Sequence, residues 1–448
     1  MDVQAHLHPY THAAAHARTG PLMITRGDGI HVIDDTGRRY IEGMSGLWCA
    51  SLGFSHPRLI EAGARALQTL PYYHTFNHRS NPPVAQLAER LKALAPVPMA
   101  RVFFANSGSE ANDTAVKMVW ATFNALGQPA KKKIIARRRA YHGVTVAAAS
   151  MTGLPGNHAG FDLPLPRMLH VDTPHHWREA LPGETPEAFA TRLAQALDAF
   201  IQAEGPDTVA AFIAEPVMGA GGVLVPPPTY FAQVQAVLKK HDVLLIADEV
   251  ICGFGRTGQT WGSQTFGLQP DLLTCAKALS SGYQPISAVL VGERVYQALE
   301  ASSEQHGTFG HGYTYSGHPV AAAVALETLQ VYEDERIVER AQALAPTFQD
   351  GLRRLAEHPS VGEARGVGMI GALELVADRA SKASWPASAR AGARVAALAQ
   401  EEGLIVRAMG DTLALCPPLI ISEAELATLF ERLDRALTRF EADLPALR

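Results

Sequence analysis

The chain has 448 residues, 47% hydrophobic and 19% charged, and its 39 Lys+Arg against 44 Asp+Glu leave a net charge of −5. This composition excludes bulk disorder, the length allows two or three domains with large cores, and the slight acidity argues against a general nucleic-acid binder. Cys49, Cys252, Cys275 and Cys416 form no CxxC pair, so a reduced, cytoplasmic setting is expected rather than a disulfide or zinc framework.

The first twenty residues are polar and His-rich, without an apolar signal core. No stretch reaches the roughly 18 apolar residues of a membrane helix, so no membrane partner is expected. His8, His12 and His16 recur at i, i+4, a spacing that could align three imidazoles on one helix face. No acidic or cysteine partner accompanies them in that pattern, so a surface-packed arm is expected and no metal.

Residues 30–42 (IHVIDDTGRRYIE) read as a hairpin around Asp-Thr-Gly. From about residue 100, short apolar strands alternate with amphipathic helices: strands at 101–105, 133–136, 209–213 and 243–247, helices at 110–126 and 232–240. Such alternation implies a mostly parallel sheet covered on both faces. The basic run at 131–139 (KKKIIARRR) reads as a strand with solvated charged ends rather than a nucleic-acid patch. Beyond residue 330 the pattern predicts a long charged helix over 333–355 and strands over 368–375, 403–407 and 412–416. A closing helix over 423–440 carries Leu426, Leu429, Phe430, Leu433 and Leu437 on one stripe. The expected fold class is therefore α/β, a large domain with a mostly parallel sheet flanked by helices plus a smaller α+β domain built from both termini. Its expected units are 1–60 (arm and part of the small domain), 61–330 (large domain) and 331–448 (rest of the small domain).

Gly253-Phe254-Gly255-Arg256-Thr257-Gly258 is a literal GxGxxG after an apolar strand. A dinucleotide fingerprint needs its glycines at the strand–helix junction. Here five residues intervene, and 259–267 has no helical apolar period, so a nicotinamide oxidoreductase is the weaker reading. Residues 106–112 (NSGSEAN) follow a strand and open a helix; free N–H groups there, two hydroxyls and a glycine suit a monophosphate, or an ordinary helix cap. Asp248, at the end of a buried strand, faces the crevice where α/β proteins bind ligands, and could be a metal ligand, a base or the counter-ion of a protonated heterocycle. Lys277 lies within an apolar segment; buried, it would have a lowered pKa suited to Schiff-base chemistry, and otherwise it would snorkel to solvent.

With Gly46-Leu47-Trp48-Cys49, Tyr141-His142-Gly143, residues 215–222 and residues 312–319, these segments fall in the order of a known family. From Gly27 to Pro418 the chain resembles the class III aminotransferases of the fold-type I pyridoxal phosphate enzymes, and most of all the omega-amino acid:pyruvate and amine:pyruvate transaminases. The resemblance implies pyridoxal 5'-phosphate as cofactor, with Lys277 forming its Schiff base and moving the proton, and Asp248 keeping the pyridine nitrogen protonated. It implies that Ser107, Gly108 and Ser109 hold the phosphate, joined by Thr314 of a neighbouring subunit. Tyr141 and Val250 would flank the ring, with His142 and Glu215 in the same cofactor shell. Arg407 would bind the substrate carboxylate, and Trp48, Phe76, Ala220 and the neighbour's Tyr313 would line the pocket. A homodimer or dimer of dimers with shared sites follows from the resemblance.

Two departures bear on the substrate. Relatives using 2-oxoglutarate typically carry Gln-Gly-Glu-Gly-Gly after Glu-Pro and Gln after Asp-Glu-Val; here stand Met218-Gly219-Ala220-Gly221-Gly222 and Ile251. Fewer polar groups favour pyruvate and apolar or terminal amines. The expected reaction is transfer from an omega-amino acid or primary amine to pyruvate. An aminomutase, racemase or decarboxylase of the same fold, a 2-oxoglutarate-dependent 4-aminobutyrate aminotransferase and a non-catalytic relative are the alternatives.

Overall fold

Strands Val209–Ala214, Leu244–Asp248, Leu272–Cys275 and Ser287–Val291 are buried along their whole length, which their unbroken apolar runs dictate for a sheet covered on both faces. In the computed structural model, which describes residues 2–443, they belong to a seven-stranded sheet. Its order is Arg101–Ala105, Ser287–Val291, Leu272–Cys275, Leu244–Asp248, Val209–Ala214, Lys133–Arg137, Met168–Val171. Ser287–Val291 is antiparallel to both its neighbours, and the other pairings across the sheet are parallel. Two smaller sheets join the chain ends. Leu404–Ile405 pairs in parallel with Arg39–Glu42, extending the sheet of Ile24–Asp28 and the expected hairpin. Val361–Val367, Ile370–Leu375, Thr412–Leu415 and Arg407–Met409 form an antiparallel sheet. No helix among the described residues is long and apolar enough to cross a membrane.

Four expectations are corrected. The helix expected over 333–355 is two, Pro319–Asp334 and Ile337–Leu355, broken at Arg336 with φ +50°. The first packs on helices Pro57–Thr69 and Pro82–Leu94, the second on the closing helix Glu423–Ala442 and strand Val361–Val367, and one straight rod cannot serve both. The strand expected over 403–407 divides at Val406 because its halves join different sheets. The basic run is solvated at Arg138 but not at Lys131 or Arg137. Lys131 is buried, its Nζ donating to the carbonyls of His241 and Asp242, and Arg137 is fully buried, donating to the carbonyl of Glu215. For Arg137 the reason is that Lys133–Arg137 is an interior strand, with the unforeseen Met168–Val171 extending the sheet beyond it. Finally, residues 259–267 do contain a short helix, Gly262–Phe266.

The GxGxxG segment is a series of turns with positive φ at Phe254, Gly255 and Gly258. Its buried Arg256 donates to the carbonyls of Met369 and Pro417 and to the Ser45 hydroxyl. It ties the large sheet's loops to both chain ends, and no helix starts at its glycines to receive a pyrophosphate.

Candidate active site

Five strands of the large sheet end on the same side, and the residue groups singled out in the sequence lie just beyond those ends. Asp248 closes Leu244–Asp248, and Lys277 follows Leu272–Cys275. Glu215 follows Val209–Ala214, Tyr141 follows Lys133–Arg137, and Ser107 follows Arg101–Ala105. Strand ends in a parallel sheet are where loops can converge without breaking the ladder.

Asp248 is 3% exposed and its carboxylate is held from three directions. Oδ2 accepts from Asn112 Nδ2 and from His142 Nδ1, both at 2.8 Å, and Oδ1 accepts from the Val250 N–H at 3.1 Å. Asn112 is itself fixed: it donates to the His142 carbonyl at 2.7 Å and accepts from Thr274 Oγ1 at 2.9 Å. Glu215 makes a second anchored carboxyl. It accepts from the backbone N–H groups of Tyr141 and Gly219 at 3.0 Å each, and burial pushes its pKa up to about 7.

Lys277 sits at φ +48° at the start of a 3-10 turn, a left-handed conformation that costs a non-glycine residue roughly 1 kcal/mol or more and recurs at functional sites. Burial lowers its pKa, while the nearby Asp248 carboxylate opposes that fall. A lysine poised this way is a better nucleophile and proton carrier than a solvated one.

Ser107 caps helix Gly108–Ala125, its hydroxyl accepting from the Glu110 N–H. Ser109 Oγ accepts from the Val144 N–H at 3.0 Å, which fastens the 141–145 loop to the helix start. A Cβ on Gly108 would lie 3.0 Å from a Val250 methyl, and one on Gly143 only 2.4 Å from Ser109 Oγ. Glycine at both positions keeps the helix N-terminus, with its unpaired N–H groups, open to an anion. Val250 thus lies against the start of this helix as well as beside Asp248.

Arg407 starts the strand Arg407–Met409 and is half-buried beside Tyr141 and Tyr10. Burial works against its charge, and among the described residues no carboxylate pairs with it. Burial also raises the Tyr141 pKa, with Tyr10 adding to the effect. Trp48 is 2% exposed, in a cluster with Met44, Val217, Val223, Ile251 and Ile370. The backbone before it is held at positive φ at Ser45 and Gly46, and Trp48 itself has φ +66°. A Cβ on Gly219 would touch Ile251 Cδ1 at 2.5 Å, so the loop carrying Ala220 packs on the isoleucine that stands where other relatives have glutamine.

Phe76, Tyr313 and Thr314 form a separate group. Phe76 is 42% exposed and abuts Gly312, Tyr313 bonds the Glu110 carbonyl, and Tyr72 donates to the Thr314 carbonyl. Sequence reasoning did not single out Asn112, Thr274 or Arg137 as individual side chains. Asn112 had a signal: it is a polar residue on the buried stripe Ala111, Ala115, Val119 of its helix. Thr274 and Arg137 had none, because their partners, Asn112 on a helix and the Glu215 carbonyl after a strand, lie far off in sequence.

A clamped carboxylate, a buried lysine and an open helix N-terminus on one side of the sheet fit the ring nitrogen, aldehyde and phosphate of pyridoxal phosphate.

The family model described as aminotransferase class-III matches residues 12–437. The chain is 49% identical over 443 residues to gamma aminobutyrate transaminase 1, mitochondrial, of Solanum lycopersicum, covering 99% of this chain and 86% of that protein. It is 49% identical over 429 residues to vanillin aminotransferase of Capsicum frutescens, covering 96% and 94%. Among solved structures, the omega transaminase of Pseudomonas jessenii in complex with PMP shares 57% identity and a TM-score of 0.97, with 98% and 97% of the two chains covered.

Proposed function

Because the chain belongs to the class-III aminotransferases, we propose that it moves an amino group from a primary amine or omega-amino acid to pyruvate, leaving an aldehyde or ketone and L-alanine. The observation that carries this reading is Arg407, a half-buried guanidinium with no carboxylate partner among the described residues, beside Tyr141. A cation half-buried without a counter-ion is held at a cost, which a substrate carboxylate relieves by bidentate pairing. The surroundings are otherwise apolar, with Trp48 and Ile251 packed together and Ala220 on the adjoining loop, which suits the uncharged body of an amine and a short keto acid better than a five-carbon diacid. The vanillin and gamma aminobutyrate relatives bear the names of an aromatic aldehyde, the carbonyl partner of an aryl-methyl amine, and of an omega-amino acid, and these names support a pocket that takes both donor types.

Pyridoxal phosphate supplies, when bound, an electron-withdrawing ring that acidifies the Cα–H of the attached substrate. Lys277 would hold the aldehyde carbon between turnovers and carry the Cα proton, a task that the lowering of its pKa by desolvation favours. Asp248, through the donors Asn112 and His142, would hold the proton on the ring nitrogen, and Tyr141 and Val250 would bracket the ring. The N–H groups of Gly108 and Ser109 and the Ser107 hydroxyl would bind the phosphate. Phe76, Tyr313 and Thr314, grouped apart from Lys277, would serve the site of a second copy in a homodimer or dimer of dimers. The four free cysteines suit a reducing, cytoplasmic setting.

Arg407→Ala tests the reading through its two half-reactions, followed by single-turnover absorbance. The pyruvate half is expected to slow by about 10²-fold or more, the scale of a lost charge-assisted pair, while transfer from a simple aryl or alkyl amine changes less than about threefold. Equal losses in both halves would overturn it.

A further inference from the structure

The N-terminal arm gathers a ligand set that its sequence spacing does not reveal. His12, one of the three regularly spaced histidines, turns away to cap helix Ala13–Thr19 by accepting from the Ala15 N–H. His8 and His16 instead converge on the Asp2 carboxylate, which the spacing pattern had left out. His8 Nε2 lies 2.7 Å and His16 Nε2 3.2 Å from Asp2 Oδ2, and His6 Nδ1 lies 3.6 Å from Asp2 Oδ1. Ligand atoms of Asp2, His6 and His8 all fall within 4.8 Å of one another. The rings crowd at centroid separations of 4.3 Å (His6 to His8) and 4.0 Å (His8 to His16).

From this geometry we propose that Asp2, His6, His8 and His16 form a binding site for a borderline divalent cation of the zinc class. Three imidazoles and one carboxylate are the donors such ions take, and a tetrahedral centre with bonds of roughly 2.0–2.2 Å has edges of about 3.3–3.6 Å. The ligand atoms of Asp2, His6 and His8 already lie within 4.8 Å of one another, and His16, whose Nε2 is 3.2 Å from Asp2 Oδ2, joins them by turning its side chain, without refolding the arm. A bound cation of this class takes neutral imidazole nitrogens and a carboxylate oxygen as ligands and would draw all four groups inward.

The consequence lies further along the same arm. Tyr10, two residues after His8, bonds the Asn157 amide and stands beside Tyr141 and Arg407. A cation joining the segment before Tyr10 to the helix after it fixes the loop that carries this hydroxyl to the pocket mouth.

The test uses the untagged full-length holoenzyme, stripped with a chelator and titrated with Zn2+ by calorimetry, and with Co2+ by its tetrahedral visible bands. One ion per chain is expected, with affinity falling at least tenfold in the His8→Ala/His16→Ala double variant and Co2+ bands lost. Zn2+ should also slow tryptic cleavage after Arg18 in the wild type and not in the double variant. Both variant sites lie on the terminal arm, partly covered, their side chains bonded among the described residues only to Asp2, and an unchanged melting temperature without metal verifies that the variant is folded. Absence of binding, or stoichiometric binding that survives the double substitution, overturns the proposal.

Discussion

Asp248 and Arg407 are two charges on one site, served in opposite ways. Asp248 is gripped by Asn112, His142 and the Val250 N–H, whereas Arg407 has two tyrosines nearby and no carboxylate among the described residues. A group that must keep one orientation through every turnover is best built into a network before anything binds. A group that must pair with one substrate and tolerate another is best left without a partner of its own. The contrast separates what the fold gives to the cofactor from what it reserves for the substrate.

The contrast can be broken hardest at its fixed side. Lys277→Ala is expected to remove turnover to below about 10⁻⁴ of wild type, and Asp248→Asn to lower kcat by about 10²–10³-fold while much of the cofactor stays bound; steady-state rates and absorbance separate the two effects. Loss of cofactor in proportion to rate in Asp248→Asn would mean that the carboxylate binds rather than activates. Asn112→Ala removes a donor to Asp248 and leaves Thr274 without its acceptor. It is expected to cost about 2–3 kcal/mol of stability and about tenfold in kcat, read by denaturant unfolding and initial rates.

A smaller effect tests burial without a partner charge. Glu42 lies under the strained Ser45–Trp48 loop, accepts from the Gly46 N–H, and burial pushes its pKa up to about 7. Its raised folded pKa means that the native state holds a proton the unfolded chain has released. Stability from this group is therefore present below about pH 4.5 and is lost as pH rises through 7, by up to about 3 kcal/mol. Glu42→Gln should flatten that part of the pH–stability curve; an unchanged slope would show that Glu42 is ionised in the fold.

Much of the fold was legible because it rests on local signals. Fully apolar runs such as Val209–Ala214 announce a sheet covered on both faces, and the strand-end placement of Asp248 follows from where its run stops. What stayed hidden depends on contacts between distant segments. The burial of Arg137 requires knowing that Met168–Val171 extends the sheet beyond its strand, and that of Lys131 that the His241 and Asp242 carbonyls and the Phe123 ring meet it. The break at Arg336 requires knowing that two helices pack on different neighbours. The meeting of His8 and His16 on Asp2 requires a turn between them that helical spacing conceals. Within the site, Asp248 and Lys277 stood out by residue type in an apolar setting, while the Asn112–Asp248–His142 network joins a helix, a strand end and a loop distant in sequence, so that local pattern marks Asn112 as a buried polar residue without revealing its partners.

The account stands most directly on the absorption spectrum of the purified yellow holoenzyme, recorded before and after L-alanine and then after pyruvate. It predicts that L-alanine bleaches the yellow band and that pyruvate restores it, one equivalent per site in each direction. A band that ignores L-alanine while responding to other amines would contradict pyruvate as the acceptor and the reading of Arg407 as its carboxylate partner.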